Sequence, residues 1–294
     1  MTSLICPYCG LNGGVIVHHS QWHKVDRSFG PFDLFRCPGC GSAGTANPPC
    51  PERLNAFYQH YDKHRPQWYH AAARDSSLEA QYRFYARRIS RFLPRPEASW
   101  IDVGAGHGEV ASLLHEHRPS SSGVATDIAK RPARLPPPVE YVSCDLNQPH
   151  WAKVVGRRFD LVFSVAVWEH VLAPADFARE CLSLVAPRGS LILIAPDNGS
   201  LAARVLGRHW PYFEPGEHIF IPTRIGARDC LMHAADMLGL RSESVDITVR
   251  PLLVGYSLRY LTNVLRLNRV SSMIPPSAAA PLPTGVLLAR VRRV

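Results

Sequence analysis

The sequence predicts an α/β protein: a doubly wound, mostly parallel sheet preceded by a small cysteine-bound ribbon. Three observations predict it. Short apolar runs alternate with helix-period segments through the middle of the chain. A glycine-rich turn, Gly104-Ala105-Gly106-His107-Gly108, joins the first of these runs to a helical pattern. Two copies of C-P-x-C-G, Cys6 to Gly10 and Cys37 to Gly41, stand near the N-terminus.

Composition removes several alternatives. The 294 residues are 46% hydrophobic and 19% charged, which excludes wholesale disorder. No run approaches the ~18 apolar residues of a spanning helix. The start, MTSLICPYCG, has no basic region followed by a long apolar one, so a secretory signal is not expected. Eight cysteines are too few for a disulfide scaffold, and a reducing cytoplasm is the expected compartment. The net charge of +9 is unevenly spread: +5 in residues 1–98, −2 in 99–200 and +6 in 201–294. After Asp246 there is no acidic residue. A polyanion responds to local potential, so the basic flanks matter more than the total.

Each C-x-x-C turn places two thiolates within reach of one ion. Two such turns complete a tetrahedral S4 site suited to Zn2+, with ligands Cys6, Cys9, Cys37 and Cys40. Such a site is closed and structural. Val15 to Val17 and Asp33 to Arg36 supply strands for the connecting hairpin. His18, His19 and His23 are alternative ligands that the cysteines make unnecessary. Cys50, Cys144, Cys181 and Cys230 are solitary and read as buried thiols. Pro48, Pro49 and Pro51 end the ribbon. The segment 52–75, rich in Tyr, Trp and His, either lines a substrate entrance or packs the joint. Leu78, Tyr82, Tyr85, Ile89 and Phe92 then recur at helical spacing, predicting a helix from Ser76 to Phe92.

The sheet follows. Ser99 to Val103 reads as a buried strand, and Glu109 to His117 as the helix after the glycine turn. The turn lacks the Gly-Lys-Ser/Thr of a P-loop and fails the G-x-G-x-x-G spacing. It reads instead as D-x-G-x-G-x-G, from Asp102 to Gly108. Gly123 to Asp127 is a second strand ending in an acid placed to accept ribose hydroxyls. Val139 to Ser143, Phe159 to Val165 and Ser190 to Ala195 follow, with a helix from Ala175 to Val185. Ligands of such sheets lie at the carboxyl ends of the strands, where Asp102, Asp127, Asp145 and Ser164 fall. Four prolines within 128–139 leave almost no second helix, so a rigid loop is expected there. Leu252 to Val270 reads as a basic amphipathic helix with Arg259, Thr262, Arg266 and Arg269 on one face. Pro275 to Pro283 reads as an extended loop, and Gly285 to Val291 as the closing strand.

The texts IDVGAGHGEVASLL, ATDI, CDL, FDLVFSVAVWEHV and LSLVAPRGSLILIAPD, in this order, resemble the class I S-adenosylmethionine-dependent methyltransferases over about residues 80–240. The flanks resemble a branch with an N-terminal C-P-x-C-G zinc ribbon, associated with small-molecule and glycan substrates. The resemblance implies a Rossmann-like methyltransferase sheet and the cofactor S-adenosylmethionine. It implies that Gly104, Ala105, Gly106 and Gly108 let the backbone approach the cofactor's methionine and ribose, while Asp102 orients its amino group. Asp127 with Ile128 would take the ribose, Asp145 and Leu146 the adenine, and Ser164 and Val165 would pass beside the sulfonium. The domains implied are a ribbon over 1–50, a helical joint and cap over 51–98, the cofactor-binding domain over 99–250, and a basic helix with the closing strand over 251–294.

Methyl transfer from a sulfonium is a displacement in which alignment dominates. A base is needed only for a neutral hydroxyl or carbon acid. Glu169 and His170 follow the fourth strand, and His218 sits in an aromatic lid, His209 to His218. These three are the candidate catalytic residues. They could also hold a divalent ion, though nothing in the sequence fixes that geometry. The expected acceptor is a small molecule, sugar or lipid-linked glycan, O-methylated, with peripheral contact to an anionic membrane surface. The alternative is an RNA methyltransferase that grips nucleic acid with its ribbon. The few charges of residues 1–50 argue against it.

Overall fold

The computed structural model describes residues 4–20, 30–59, 77–210, 212–258, 262, 273–275 and 278–294. The ribbon contributes β1 (Val15–Ser20), β2 (Phe32–Arg36) and β3 (Ala43–Thr45), followed by helix α1 (Pro51–Gln59). Helix α2 (Ser77–Ser90) leads into β4 (Ser99–Val103), α3 (Glu109–His117), β5 (Ser122–Asp127) and β6 (Glu140–Ser143). Next come α4 (Ala152–Val155), β7 (Phe159–Val165), α5 (Pro174–Ser183), β8 (Val185–Pro196) and α6 (Leu201–Leu206). The chain ends with β9 (Phe220–Ile221), α7 (Arg224–Met237), β10 (Val245–Ser257) and β11 (Ala279–Arg293).

Seven strands form the central sheet in the order β10-β11-β8-β7-β4-β5-β6. The five strands from β8 to β6 are parallel neighbours. The β11 strand is antiparallel to both β8 and β10. Alternate residues face opposite layers, as the two-residue period of a strand demands. Trp100, Leu161, Phe163, Ile192 and Leu288 join Ile89 of α2 and Leu114 of α3. Ile101, Val162, Leu191 and Leu287 face Phe177 of α5 and Leu231 of α7. With both faces covered, the central strands are apolar almost throughout, which made them readable in sequence. Trp100 is fully buried and lies over Gly123, where an added Cβ would stand 2.2 Å from the indole.

The ribbon is joined to this domain by main-chain pairing. Strand β9, from the far half of the chain, pairs antiparallel with β3 and completes a second sheet, β1-β2-β3-β9. The Tyr8 hydroxyl donates to the Phe220 carbonyl at 2.8 Å, and its ring meets Trp168 edge-on at 5.4 Å. Thr223, the N-cap of α7, donates its hydroxyl to the Cys40 carbonyl. Gly226 is required there, because an added Cβ would stand 2.2 Å from Ser42 Oγ.

Three expectations need correction. Leu252 to Ser257 is strand, the second half of β10, paired with β11. Exposure alternates from Val245 to Arg250, a strand signature that the arginine spacing further on overrode. Most of the expected basic helix, with Arg259, Arg266 and Arg269, lies outside the described residues. The expected loop before Pro283 is already β11 from Ala279. Of the four solitary cysteines expected to be buried, Cys50 is exposed and Cys144 only half-buried; the Cys50 carbonyl accepts the Leu54 amide in the first turn of α1. His60, Tyr61, His64, Trp68, Tyr69 and His70 also lie outside the described residues, as does His23. No helix among the described residues is long and apolar enough to cross a membrane.

Candidate active site

The two knuckles are near copies. The Gly10 amide donates to the Cys6 carbonyl and the Gly41 amide to the Cys37 carbonyl, with φ of +72° and +75° at the glycines. Such left-handed steps favour glycine. One sulfur from each of Cys6, Cys9, Cys37 and Cys40 lies within 4.8 Å of the others. The Cys6–Cys40 and Cys9–Cys37 sulfurs are 3.7 and 3.5 Å apart. A tetrahedron of 2.3 Å zinc–sulfur bonds has edges of about 3.8 Å, so the donor set and its spacing fit zinc. His19 is not part of this cluster; its Nδ1 pairs with Asp33 at 2.6 Å.

A cleft of ≈ 730 Å³ opens at the carboxyl ends of β4, β5 and β7, lined by Gly104, Gly106, Asp127, Ile128, Asp145, Leu146 and His170 among others. The glycine loop has φ of +78°, +55° and +78° at Gly104, Gly106 and Gly108. The three glycines serve different ends. At Gly104 a Cβ would stand 2.4 Å from Val167, so the loop could not sit against the turn after β7. At Gly108 it would press on Leu135 at 3.3 Å. At Gly106 it would meet nothing within 4 Å, because this glycine faces the cleft. The Gly104 and Ala105 amides are spent on the Thr126 carbonyl.

Asp127 organises the middle of the cleft. Its Oδ2 accepts the Gly106 amide at 2.8 Å and its Oδ1 the Ala129 amide at 3.2 Å. Asp145 accepts the Asn147 amide at 2.9 Å, closing its own turn. A carboxylate has about four acceptor sites, so both acids retain capacity for a ligand. The proline-rich segment is a loop, with the second helix absent as expected. Arg131 holds it by donating to the carbonyls of Leu135, Pro136 and Val139. Its Ala129, Lys130 and Pro132 line the cleft.

Some residues implied by the resemblance lie behind the cleft wall. Ser164 is buried and donates to the Val103 carbonyl at 2.7 Å, locking β7 to β4. Val165 likewise is not among the lining residues; Ala166 and Val167 are, with Ala166 at φ +55°. Asp102 is 2% exposed, beneath the loop. Burial holds its carboxyl well above the usual range, and the charges of Asp127 and Glu109 add to this. A raised folded-state pKa means that stability is fully present below the ordinary 3.8 and is lost as pH climbs through the raised value. Asp102→Asn suffers no such loss. Near pH 7, without ligand, its melting temperature is expected to exceed wild type by about 2–4 °C per kcal/mol recovered. The difference should vanish below the ordinary carboxyl pKa. Scanning calorimetry decides this, and a melting temperature at or below wild type near neutrality counts against it.

Opposite the loop, three distant segments converge. His170 is in a 3-10 turn, Trp168–His170, after β7. Its Nδ1 lies 2.9 Å from the Tyr58 hydroxyl of α1 and 3.0 Å from the Glu217 carbonyl. The His170 and His218 rings meet edge-to-face at 4.7 Å. The His218 Nδ1 lies 2.6 Å from the Tyr212 carbonyl. The Ile219 amide donates to the Glu169 carbonyl at 2.7 Å and ties the segments together. Glu169 is 1% exposed, and burial pushes its carboxyl up to about 8, with the Glu217 charge adding to the rise. Burial also raises the Tyr58 phenol, reinforced by Glu217 and Glu169. Tyr58, Asn55, His107 and Asn147 line the cleft but were not singled out from sequence. Only Tyr58 carried a signal, as part of the aromatic segment after the ribbon.

Known proteins resemble this chain in sequence and in fold. The trans-aconitate 2-methyltransferase of Acidovorax sp. (strain JS42) is 30% identical over 154 residues, 51% of this chain and 52% of the relative. The chain thus matches about half the length of that relative. The ubiquinone biosynthesis O-methyltransferase of Pseudomonas paraeruginosa is 29% identical over 174 residues, 54% of this chain and 71% of the relative. Among solved structures, the plantazolicin methyltransferase BamL, in complex with a triazolic desmethylPZN analog and S-adenosylhomocysteine, superposes with a TM-score of 0.54 at 13% identity. That match covers 82% of this chain and 95% of BamL. The 1,6-didemethyltoxoflavin-N1-methyltransferase of Burkholderia thailandensis gives 0.51 at 16% identity, over 88% and 98% of the two chains. A family profile described as a methyltransferase domain matches residues 65–235, more than half of the 294. With its sheet order and glycine cleft, the chain belongs to this methyltransferase-domain family and has the class I S-adenosylmethionine-dependent fold.

Proposed function

We propose that the protein transfers a methyl group from S-adenosylmethionine to an oxygen of a small-molecule, sugar or lipid-linked glycan acceptor. One observation carries the reading: a single cleft has the glycine loop and Asp127 on one side and Tyr58 and His170 on the other. When bound, the cofactor supplies a methyl group on a sulfonium. In the proposed arrangement Gly106 lets the backbone approach the cofactor, with Gly104, Ala105 and Gly108 shaping the turn. Asp127 accepts the ribose hydroxyls beside Ile128. Asp145 accepts the adenine amine, and Leu146 flanks the base. Asp102, Ser164 and Val165 act from behind the wall by holding the strand ends in place. The acceptor enters on the His170 side. Its oxygen forms the new bond to carbon as the carbon–sulfur bond breaks, and the sulfur keeps that electron pair. A neutral hydroxyl must also shed its proton; in this reading His170, which lines the cleft, receives it, with Glu169 and His218 buried behind its ring. Two relatives whose names specify trans-aconitate and an O-methylation support an oxygen-bearing small acceptor.

Calorimetry is expected to show binding of both S-adenosylmethionine and its demethylated product. Labelled methyl should then pass to a member of a panel of sugar nucleotides, lipid-linked glycans and small hydroxy- and carboxy-acids. A protein that binds neither cofactor form removes the reading. Transfer confined to RNA replaces it with the nucleic-acid alternative.

A further inference from the structure

We infer that Glu169, His170 and His218 form a second metal site, distinct from the four-cysteine ribbon, for a divalent first-row cation. One ligand atom from each of the three lies within 4.8 Å of the other two. Bonds of about 2.0–2.2 Å set donors about 3.3–3.6 Å apart in a tetrahedron, so small side-chain shifts would close these three on one ion. Two imidazoles and one carboxylate suit a borderline cation such as Zn2+, Fe2+ or Co2+ better than Mg2+ or Ca2+, which prefer all-oxygen shells.

The imidazoles are set as ligands. A carbonyl oxygen only accepts, so the 2.6 Å contact of His218 Nδ1 with the Tyr212 carbonyl places the proton on Nδ1. The same holds for His170 Nδ1 at 3.0 Å from the Glu217 carbonyl, with the Tyr58 oxygen as a second acceptor. Nε2 is then the nitrogen of each ring that would ligate, and that of His218 lies 4.0 Å from Glu214 Oε2. Metal-bound histidines are held this way, with the second nitrogen donating to a carbonyl. The His170 Nε2 lies 4.0 Å from Glu169 Oε1, a gap that a bridging ion would span.

A second observation points to a cation independently. Glu169 is 1% exposed, and its Oε2 meets no hydrogen-bond donor among the described residues. A buried carboxyl oxygen left so is costly, and a cation that takes the place of the carboxyl proton would satisfy it. Glu214 and Glu217 are buried nearby at 7% and 2% exposure, which deepens the negative potential there. The turn that bears Glu169 is tied to the segment that bears His218 by the Ile219 amide, so the ligands are held before an ion arrives. His170 lines the cleft, so an open coordination position on that side would take an acceptor oxygen and lower its pKa, with the proton passing to solvent. That role, unlike the binding itself, rests on the methyl-transfer reading.

The test uses full-length protein with zinc in the ribbon, titrated with Co2+ alone. One equivalent of cobalt per chain is expected beyond the ribbon zinc, with visible ligand-field bands and no thiolate charge-transfer band. His218→Ala and, more conservatively, Glu169→Gln should each raise the cobalt dissociation constant by about 100-fold or more. S-adenosylmethionine affinity on the same samples reports whether each variant has kept its fold. Wild type that takes up no cobalt beyond exchange at the ribbon overturns the inference. So does cobalt uptake unchanged in the folded Glu169→Gln variant. Wild type that binds cobalt but no S-adenosylmethionine supports the metal site and overturns the methyl-transfer reading.

Discussion

Asp127→Ala is expected to weaken S-adenosylmethionine binding by about 100-fold or more. Hydrogen bonds to a charged acceptor contribute about 1.5–3 kcal/mol each, and two ribose hydroxyls would be lost together. The damage extends beyond the ligand. The same carboxylate holds the Gly106 amide of the loop and the Ala129 amide of the proline-rich wall. Without it, both sides of the cleft lose the group that sets their separation. Asp127→Asn keeps one acceptor oxygen and should fall between the alanine variant and wild type. Isothermal calorimetry measures both, with far-ultraviolet circular dichroism as a check on the fold. An alanine variant within threefold of wild-type affinity would show that Asp127 is a turn acid and not a ligand group.

Removing zinc from the ribbon is expected to have the larger effect on stability and a selective effect on activity. Structural zinc in small fingers contributes about 10–16 kcal/mol of apparent binding energy, which is folding energy. Here the ribbon is also one wall of the catalytic domain. Tyr8 lies between Cys6 and Cys9 and packs on Trp168, which precedes Glu169 and His170. Cys40 receives the hydroxyl that caps α7. Stripping the metal with a strong chelator, or replacing Cys37 with serine, should therefore loosen the Glu169–His170–His218 side while the Gly104–Asp127 side persists. The melting temperature should fall by at least about 10 °C, equivalent to several kcal/mol for a domain of this size. Methyl transfer should be lost, with cofactor affinity changed much less. If metal-free protein keeps its melting temperature and its transfer rate, the ribbon is not structural.

The sequence was legible where chemistry is local. Parallel strands covered on both faces are apolar runs, so β4, β5 and β7 could be placed within a residue or two. The cysteine knuckles carry their own spacing. Helix α3 begins and ends where the glycine turn and the residue pattern placed it. What was not legible is what the chain brings together over long distances. Tyr58 and His170 are 112 residues apart, and His170 and Glu217 are 47 apart, yet both pairs touch. Glu169, His170 and His218 were each visible as candidates, but their mutual distances follow from the segment before β9 folding back onto the turn after β7. The strand β10 was missed because arginines at helical intervals masked the alternation before them. Ser164 and Val165 were displaced from the cleft because the pleat turns Ser164 toward β4, and the chain reaches the opening only at Ala166.

The pairing of β9 with β3 has a consequence for synthesis. Residues 43–44 meet residues 220–221, so the ribbon sheet gains its fourth strand only when most of the chain has left the ribosome. The zinc knuckles emerge long before β9 and can close around their ion at once. Their sheet then keeps an open edge, of the kind that invites pairing with other chains, through most of translation. Early metal capture would hold this short edge in shape while the large sheet assembles, making the ion an escort for the nascent chain as well as a fixture of the finished protein.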